Sequence, residues 1–238
     1  DELGRYPYIE FKNDEVISVT KNEMSFDLIT SNGGKYQSKT IILSTGLKDV
    51  LPDIDNLSKF YGKSLFNCPY CDGWELRDKS LVVIIEDQKH VFHYVQTIYN
   101  WSKDLVVCTN GKVILDSEQK HLLQNKGIKI MEQGIKSLVG QNGLMEQVVF
   151  ENGETISRKD GFVLPQLVQS SDFGTQLGCE KNLMGGIATD SFGRTNIQGV
   201  YAAGDASVIA PSQLIYAAAE GSRAAVGVNT DLIQQEFS

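Results

Sequence analysis

Ser80-Leu81-Val82-Val83-Ile84-Ile85, then a helical pattern through Val91, Phe92, Val95, Ile98 and Tyr99, then Asp104-Leu105-Val106-Val107-Cys108, constrain the fold more than any other stretch. Two unbroken apolar runs of strand length have no polar face to give to water, so both are expected inside a parallel sheet covered on each side. Parallel strands need a crossover, and the periodicity over 89–102 supplies its helix. Such a βαβ unit places its first turn and helix N-terminus where a dinucleotide pyrophosphate would sit. Here that turn reads Glu86-Asp87-Gln88. Two carboxylates and a bulky amide stand where a G-x-G-x-x-G loop would bring bare backbone against phosphate, so bulk and like charge both oppose binding. After the second strand, Thr109-Asn110-Gly111 offers neither an acid for a ribose 2′-hydroxyl nor an Arg for a 2′-phosphate, although Lys112 is close by. The unit is read as Rossmann-like with conventional nicotinamide-dinucleotide binding lost. The acids also have a plain structural use at the positive end of a helix dipole.

Around this unit the chain reads as a second, discontinuous one. Tyr8 to Phe11, Glu15 to Val19 and Ser25 to Thr30 carry β-type residues, and Ser31-Asn32-Gly33-Gly34 is a turn, so a hairpin meander is expected. Thr40-Ile41-Ile42-Leu43-Ser44 is an apolar run of the kind buried on both faces, ending in Thr45-Gly46. Glycine at a strand end lets a ligand approach the backbone, and it is equally an ordinary strand-to-loop residue. A further meander is expected from Lys129 to Val163, with Asn142-Gly143 and Asn152-Gly153 as turns. Gly199-Val200-Tyr201-Ala202-Ala203-Gly204-Asp205 then leads through Pro211-Ser212-Gln213-Leu214 into a small-residue helix from Ala217 to Val228. The Asp205 carboxylate suits a ribityl or ribose hydroxyl, with small residues admitting a pyrophosphate to the helix N-terminus; a closely packed helix with a capping acid fits the same letters.

Cys68-Pro69-Tyr70-Cys71-Asp72-Gly73 carries the chemistry. Two thiols two residues apart can close and reopen a small disulfide ring, form half of a zinc site, or serve structure alone. A zinc site needs four ligands, and Cys108, Cys179, His90, His93 and His121 are not grouped to complete one. Tyr70 and Trp74 are read as local packing around the loop, His90 and His93 as a partly exposed helix face, and Cys108 and Cys179 as inert thiols. With 238 residues, 41% of them hydrophobic, the chain can bury a sizeable core. A net charge of -8 and a pI near 4.9 argue against a nucleic-acid partner. No apolar run is long enough to cross a bilayer, and four cysteines are too few for a disulfide-stapled secreted scaffold, so a cytoplasmic protein is expected.

Taken together, the Cys-Pro-Tyr-Cys-Asp-Gly-Trp-Glu run, the Ser44-Thr45-Gly46 strand end, Trp101-Ser102 followed by Thr109-Asn110-Gly111, and Tyr201-Ala202-Ala203-Gly204-Asp205 resemble the low-molecular-weight thioredoxin reductase family, specifically its thioredoxin reductase-like flavoprotein branch. The motifs fall in the family's order and the resemblance covers essentially the whole chain. It implies an α/β protein of two Rossmann-like (three-layer ββα) domains. Residues 1–62 and 187–238 would form an FAD-binding domain, and 63–186 an NAD(P)-binding-like domain carrying the Cys-x-x-Cys. Members begin with a strand and G-x-G-x-x-G loop for the ADP half of FAD; the resemblance begins after that segment, so the flavin domain is expected to be N-terminally incomplete over residues 1–238.

The resemblance further implies an FAD-dependent dithiol–disulfide oxidoreductase. Cys71 would face the flavin, Cys68 would attack a substrate disulfide, and Asp72 would act as acid/base for the pair. Thr45, Gly46, Gly204, Asp205 and Ala206 would line the flavin pocket, with backbone around Gln213 and Leu214 facing the flavin ring. The cofactor is FAD, with NADPH set in doubt by the Glu86-Asp87-Gln88 loop. Partners would be a thioredoxin-like protein or a small-molecule disulfide, and the assembly a homodimer. The alternative is a non-catalytic or redox-sensing flavoprotein relative.

Overall fold

The computed structural model describes residues 3–209 and 212–238, which leaves Pro211 outside the described residues. The chain forms two compact units, Asp49–Gln166 and a discontinuous one made of Asp1–Lys48 with Leu167–Ser238. The division falls ahead of the expected boundaries at 62/63 and 186/187. Ile54, Leu57 and Phe60 are buried in the core of the 49–166 unit, which draws the segment before 63 into it. Phe173, Leu177 and Cys179 pack against the core of the other unit, which draws in the segment before 187.

The 49–166 unit is built on a five-stranded sheet in the order Leu65–Phe66, Asp160–Val163, Leu81–Ile84, Leu105–Cys108, Lys129–Met131, every pair parallel. Alternation along its strands sorts side chains between two cores. Val82, Ile84 and Val106 face one cluster with Leu138, Met145, Val148 and Phe150, contributed by an antiparallel meander of Ile135–Gln141, Leu144–Phe150 and Thr155–Ser157. Leu81, Val83, Leu105 and Val107 face the other, with Val91, Val95 and Ile98 of the helix Val91–Tyr99 and Leu123 of the helix Ser117–Asn125. Burying each such side chain contributes roughly 1.5–3 kcal/mol. The layers are therefore meander, parallel sheet and helices, the ββα arrangement expected. The expected 129–163 meander is narrower than its range: Lys129–Met131 and Asp160–Val163 enter the parallel sheet. The helix Ser117–Asn125 makes that crossover; its Asp116 and Gln119 form a capping box.

The discontinuous unit contains an antiparallel meander, Val16–Lys21, Phe26–Thr30 and Lys35–Ser38. It also contains a parallel pair, Ile41–Leu43 with Val200–Ala202, and the helix Leu214–Phe237. Phe26, Ile41, Leu43, Val200 and Ala202 form its core. Tyr8 to Phe11, expected as a strand, has no ladder partner among the described residues, and Tyr8 is almost fully exposed. The Thr40–Ser44 run is buried on one face only, because Ile42 opens onto a cleft. Arg194 donates two 2.8 Å bonds to Asp231, which also accepts 2.6 Å from the hydroxyl of buried Tyr201, so the helix is anchored to the strand it covers. Among the described residues no helix is long and apolar enough to cross a membrane.

Candidate functional site

Cys68 and Cys71 are joined as a disulfide with Cα atoms 5.2 Å apart. Local sequence explains the close approach. Cys68 is extended and caps a single helical turn, Pro69–Asp72; Pro69 takes the first helical position, where no N–H is needed. The Cys71 N–H points at Cys68 Sγ at 3.2 Å and at Cys68 O at 3.1 Å. Gly73 closes the turn, and a Cβ there would lie 2.3 Å from both Pro69 O and the Trp101 indole Nε1. Trp101 thus forms a wall against the disulfide turn, a contact that sequence reasoning missed because the residues are far apart in the chain. Cys68 is half-buried and Cys71 exposed. Burial, helped by neighbouring Glu75, pushes the Asp72 carboxyl above the ordinary carboxylate value, as an acid/base group requires. Tyr70 and Trp74, expected to pack locally, instead stand 69% and 61% exposed on either side of Cys71, with the Arg77 guanidinium 4.0 Å over the indole. Among the described residues no three His, Cys, Asp or Glu side chains gather around a common point for a metal. Cys108 is fully buried, with its thiol pushed up to about 12 by burial, and Cys179 is raised by burial as well.

At the C-terminal ends of the parallel strands, the protein's own side chains are bonded to one another. Asn110, in left-handed backbone after Leu105–Cys108, donates to Glu86 Oε1 at 2.5 Å and accepts from the Ile135 N–H at 2.7 Å. This bridge joins the end of the first crossover strand to the end of the second, the path a dinucleotide follows from pyrophosphate to adenosine ribose. Asp87 accepts from the His90 N–H at 2.9 Å and pairs with its Nδ1 at 2.9 Å. Burial works against the Asp87 carboxylate, but these bonds hold it below the usual range. Further along the chain, Lys120 is paired with Glu132 at 2.8 Å.

The discontinuous unit carries an open cleft of about 380 Å³ lined by Ile42, Ser44, Gly46, Ala203, Gly204, Asp205, Ala217 and Gly221. It unites three expected cofactor residues, Gly46, Gly204 and Asp205. Thr45 stands beside it, its hydroxyl accepting from Ser171 at 3.0 Å. Ala206 is fully buried behind the turn. Gln213 takes the N-cap position of the helix Leu214–Phe237 without a side-chain cap bond, and Leu214 is exposed at its start; neither lines the cleft. Gly46 has φ +70, and a Cβ at Gly46 or Gly221 would stand in the open cleft. A half-buried carboxylate in a cradle of small residues fits the ribityl and pyrophosphate of FAD, with Asp205 placed for a hydroxyl. Ser44 and the nearby Glu220 were missed, and Ala217 and Gly221 were read only collectively, as part of a small-residue helix. Ala217 and Gly221 lie one helical turn apart, and Glu220 is the only acid from Leu214 to Thr230, which is the signal that was available.

A parallel-sheet unit carrying a surface disulfide with an acid beside it, in one chain with a unit that has a small-residue cleft, is the architecture of the Rossmann-type flavoprotein oxidoreductases. Comparison with known proteins narrows the class. Residues 104–221 match the pyridine nucleotide-disulphide oxidoreductase family. A Bacillus anthracis chain provisionally assigned as thioredoxin reductase TrxB is 38% identical, with a TM-score of 0.95 over 99% of this chain and 79% of that one. An Agrobacterium tumefaciens oxidoreductase superposes with a TM-score of 0.86 at 28% identity, covering 98% of this chain and 77% of that one. The thioredoxin reductase sirT of Leptosphaeria maculans is 28% identical over 93% of this chain and 72% of its own length. The chain belongs to the thioredoxin reductase-like pyridine nucleotide-disulfide oxidoreductases, a family that typically binds FAD.

Proposed function

We propose that this protein passes electrons between a bound FAD and a substrate disulfide through Cys68 and Cys71, with an electron donor other than NADPH. The observation that carries the reading is the disulfide itself, exposed on a one-turn helix beside a carboxyl whose pKa is raised. Gly46 and Asp205 would hold FAD in the cleft, and bound FAD would supply two-electron redox chemistry. In the reduced protein, Cys68 thiolate attacks one sulfur of a substrate disulfide; the substrate S–S bond breaks and one substrate thiolate leaves. Cys71 thiolate then attacks Cys68 Sγ, releasing the second substrate thiolate and closing the Cys68–Cys71 bond. The Cys71 N–H at 3.2 Å from Cys68 Sγ favours thiolate on Cys68, which supports its part as the attacking sulfur. Asp72 exchanges protons with the pair. The exposed rings of Tyr70 and Trp74 support a substrate with apolar surface beside its disulfide, a thioredoxin-type protein or a small-molecule disulfide. A homodimer belongs to the same proposal.

The Glu86–Asn110 bridge and the capped Asp87 support a donor other than a nicotinamide dinucleotide. The visible spectrum of the purified full chain, recorded anaerobically, tests the whole reading. The expected result is a flavin band that NADPH leaves intact and a dithiol bleaches, with the dithiol response lost in Cys71→Ser. Bleaching by NADPH would overturn the donor assignment, and retained bleaching by dithiol in Cys71→Ser would overturn the assignment of that thiol.

A further inference from the structure

We propose that Glu220 is a positioning residue for the cofactor, fixing the Gly204–Ser207 turn in the shape that receives FAD; this rests on the flavin reading above. The helix Leu214–Phe237 presents Ala217 and Gly221 to the cleft, small enough for a ligand to lie against the helix. Between them Glu220 brings a carboxylate that is only 19% exposed. A helix that needed only to pack closely would carry another Ala or Gly here, since a mostly buried acid is costly unless its oxygens are bonded. One of them is bonded to the turn. Glu220 Oε2 accepts from the Gly204 N–H at 3.0 Å and lies 3.1 Å from Ser207 Oγ, a hydroxyl that shares its one proton between Glu220 and Gly204 O, also at 3.1 Å. The same turn is closed by Ser207 and Val208 N–H groups donating to Gly204 O, both at 2.9 Å. Gly204 sits at φ +68, and a Cβ there would come 3.3 Å from Ala217 Cβ, so the helix leaves the turn no inward slack.

Two consequences follow for the cleft. The Gly204 N–H, which would otherwise be a loose donor at its floor, is committed to the protein. Asp205 is left on a turn braced at both ends, and among the described residues its carboxylate accepts from Ser212 Oγ at 2.6 Å. One oxygen receives both donors, and a carboxylate does this better than an amide, because a Gln side chain has one neutral acceptor and turns a donor towards the same crowded space. The nearest cation is Arg223, whose guanidinium is 4.0 Å from the other carboxylate oxygen and exposed, so the turn is the principal partner of Glu220.

FAD titration of the full chain, followed by quenching of flavin fluorescence, tests this with Glu220→Gln, Glu220→Ala and Ser207→Ala. Melting of each protein without FAD and hydrogen exchange at the Gly204 amide are measured alongside. The expected result is FAD affinity weakened about fivefold in Glu220→Gln and tenfold or more in Glu220→Ala, with a smaller loss in Ser207→Ala. Gly204 exchange should quicken in Glu220→Ala. Glu220→Gln should melt close to the wild type, which keeps the test valid if Glu220→Ala unfolds. Wild-type FAD affinity in Glu220→Gln with a lowered melting point would overturn the proposal, making Glu220 a fastener of the helix alone. A wild-type chain that binds no FAD would overturn the flavin reading, and this proposal with it.

Discussion

At Gly73 the fold leaves no room for one methyl group. A Cβ would meet Pro69 O at 2.3 Å and Trp101 Nε1 at 2.3 Å, and neither is a flexible chain end. Gly73→Ala must push the disulfide turn off the indole, so urea denaturation should show a loss of about 1–3 kcal/mol. The same substitution in an exposed turn would change little. Asp72 makes a prediction of opposite sign. Its folded pKa is raised, first by burial and then by Glu75, so the stability linked to its protonation is present at acid pH and lost as pH rises through that raised value. Asp72→Asn should therefore be as stable as wild type or more stable at pH 7, and the difference should shrink below the ordinary carboxylate range. If the acid/base assignment holds, the same variant slows thiol–disulfide exchange at pH 7 by about 10²-fold or more. A variant less stable at pH 7 would mean that the carboxylate is held by contacts that favour its charge.

Among the elements, the helix Leu214–Phe237 depends on one charged contact far from its small-residue start. Asp231 is held below the usual carboxylate range by hydrogen bonds from Arg194, against the effect of burial, and by the Tyr201 hydroxyl. A depressed acid stabilises the fold above its unfolded pKa and loses that contribution as pH falls through its folded one. Asp231→Asn should lower the melting midpoint at pH 7 by about 2–4 °C and converge with the wild type in strong acid. Parallel curves at all pH values would reduce the Arg194 contact to packing. Legibility varied between elements for physical reasons. Leu81–Ile84 and Leu105–Cys108 could be read because strands buried on both faces admit no polar residue. Lys129–Met131 was misplaced because a three-residue strand with an exposed lysine carries no such signature, and its crossover helix Ser117–Asn125 has a single fully buried residue, Leu123. The Cys68 to Asp72 turn and the Gly204-Asp205 strand end were legible from letters alone. Trp101 and Glu220 were not, since each acts on a turn that only the folded chain brings to it.

For the whole molecule, the deciding question is which electron carriers its two units admit. Glycine at position 86 alone would remove one end of the Glu86–Asn110 bridge, and glycine at 88 would strip the bulky amide, while Asp87 keeps the His90 N–H that starts the following helix. Replacing Asp87 as well would cost about 1 kcal/mol in the lost bond to the His90 N–H and blur the result, so Glu86→Gly/Gln88→Gly is the sharper variant. The wild-type full chain should show no saturable NADPH quenching of its tryptophan fluorescence up to millimolar concentration. The double variant should gain at least about tenfold in affinity, since it restores backbone approach and removes one repelling carboxylate. Because Lys112 is the only cation close after the second strand, the gain should be similar for NADH and NADPH. A gain confined to NADPH would show that a cation already reads the 2′-phosphate. No gain with either would place the barrier in Asp87 and the Asn110 turn, and micromolar binding by the wild type would return NADPH to the reaction.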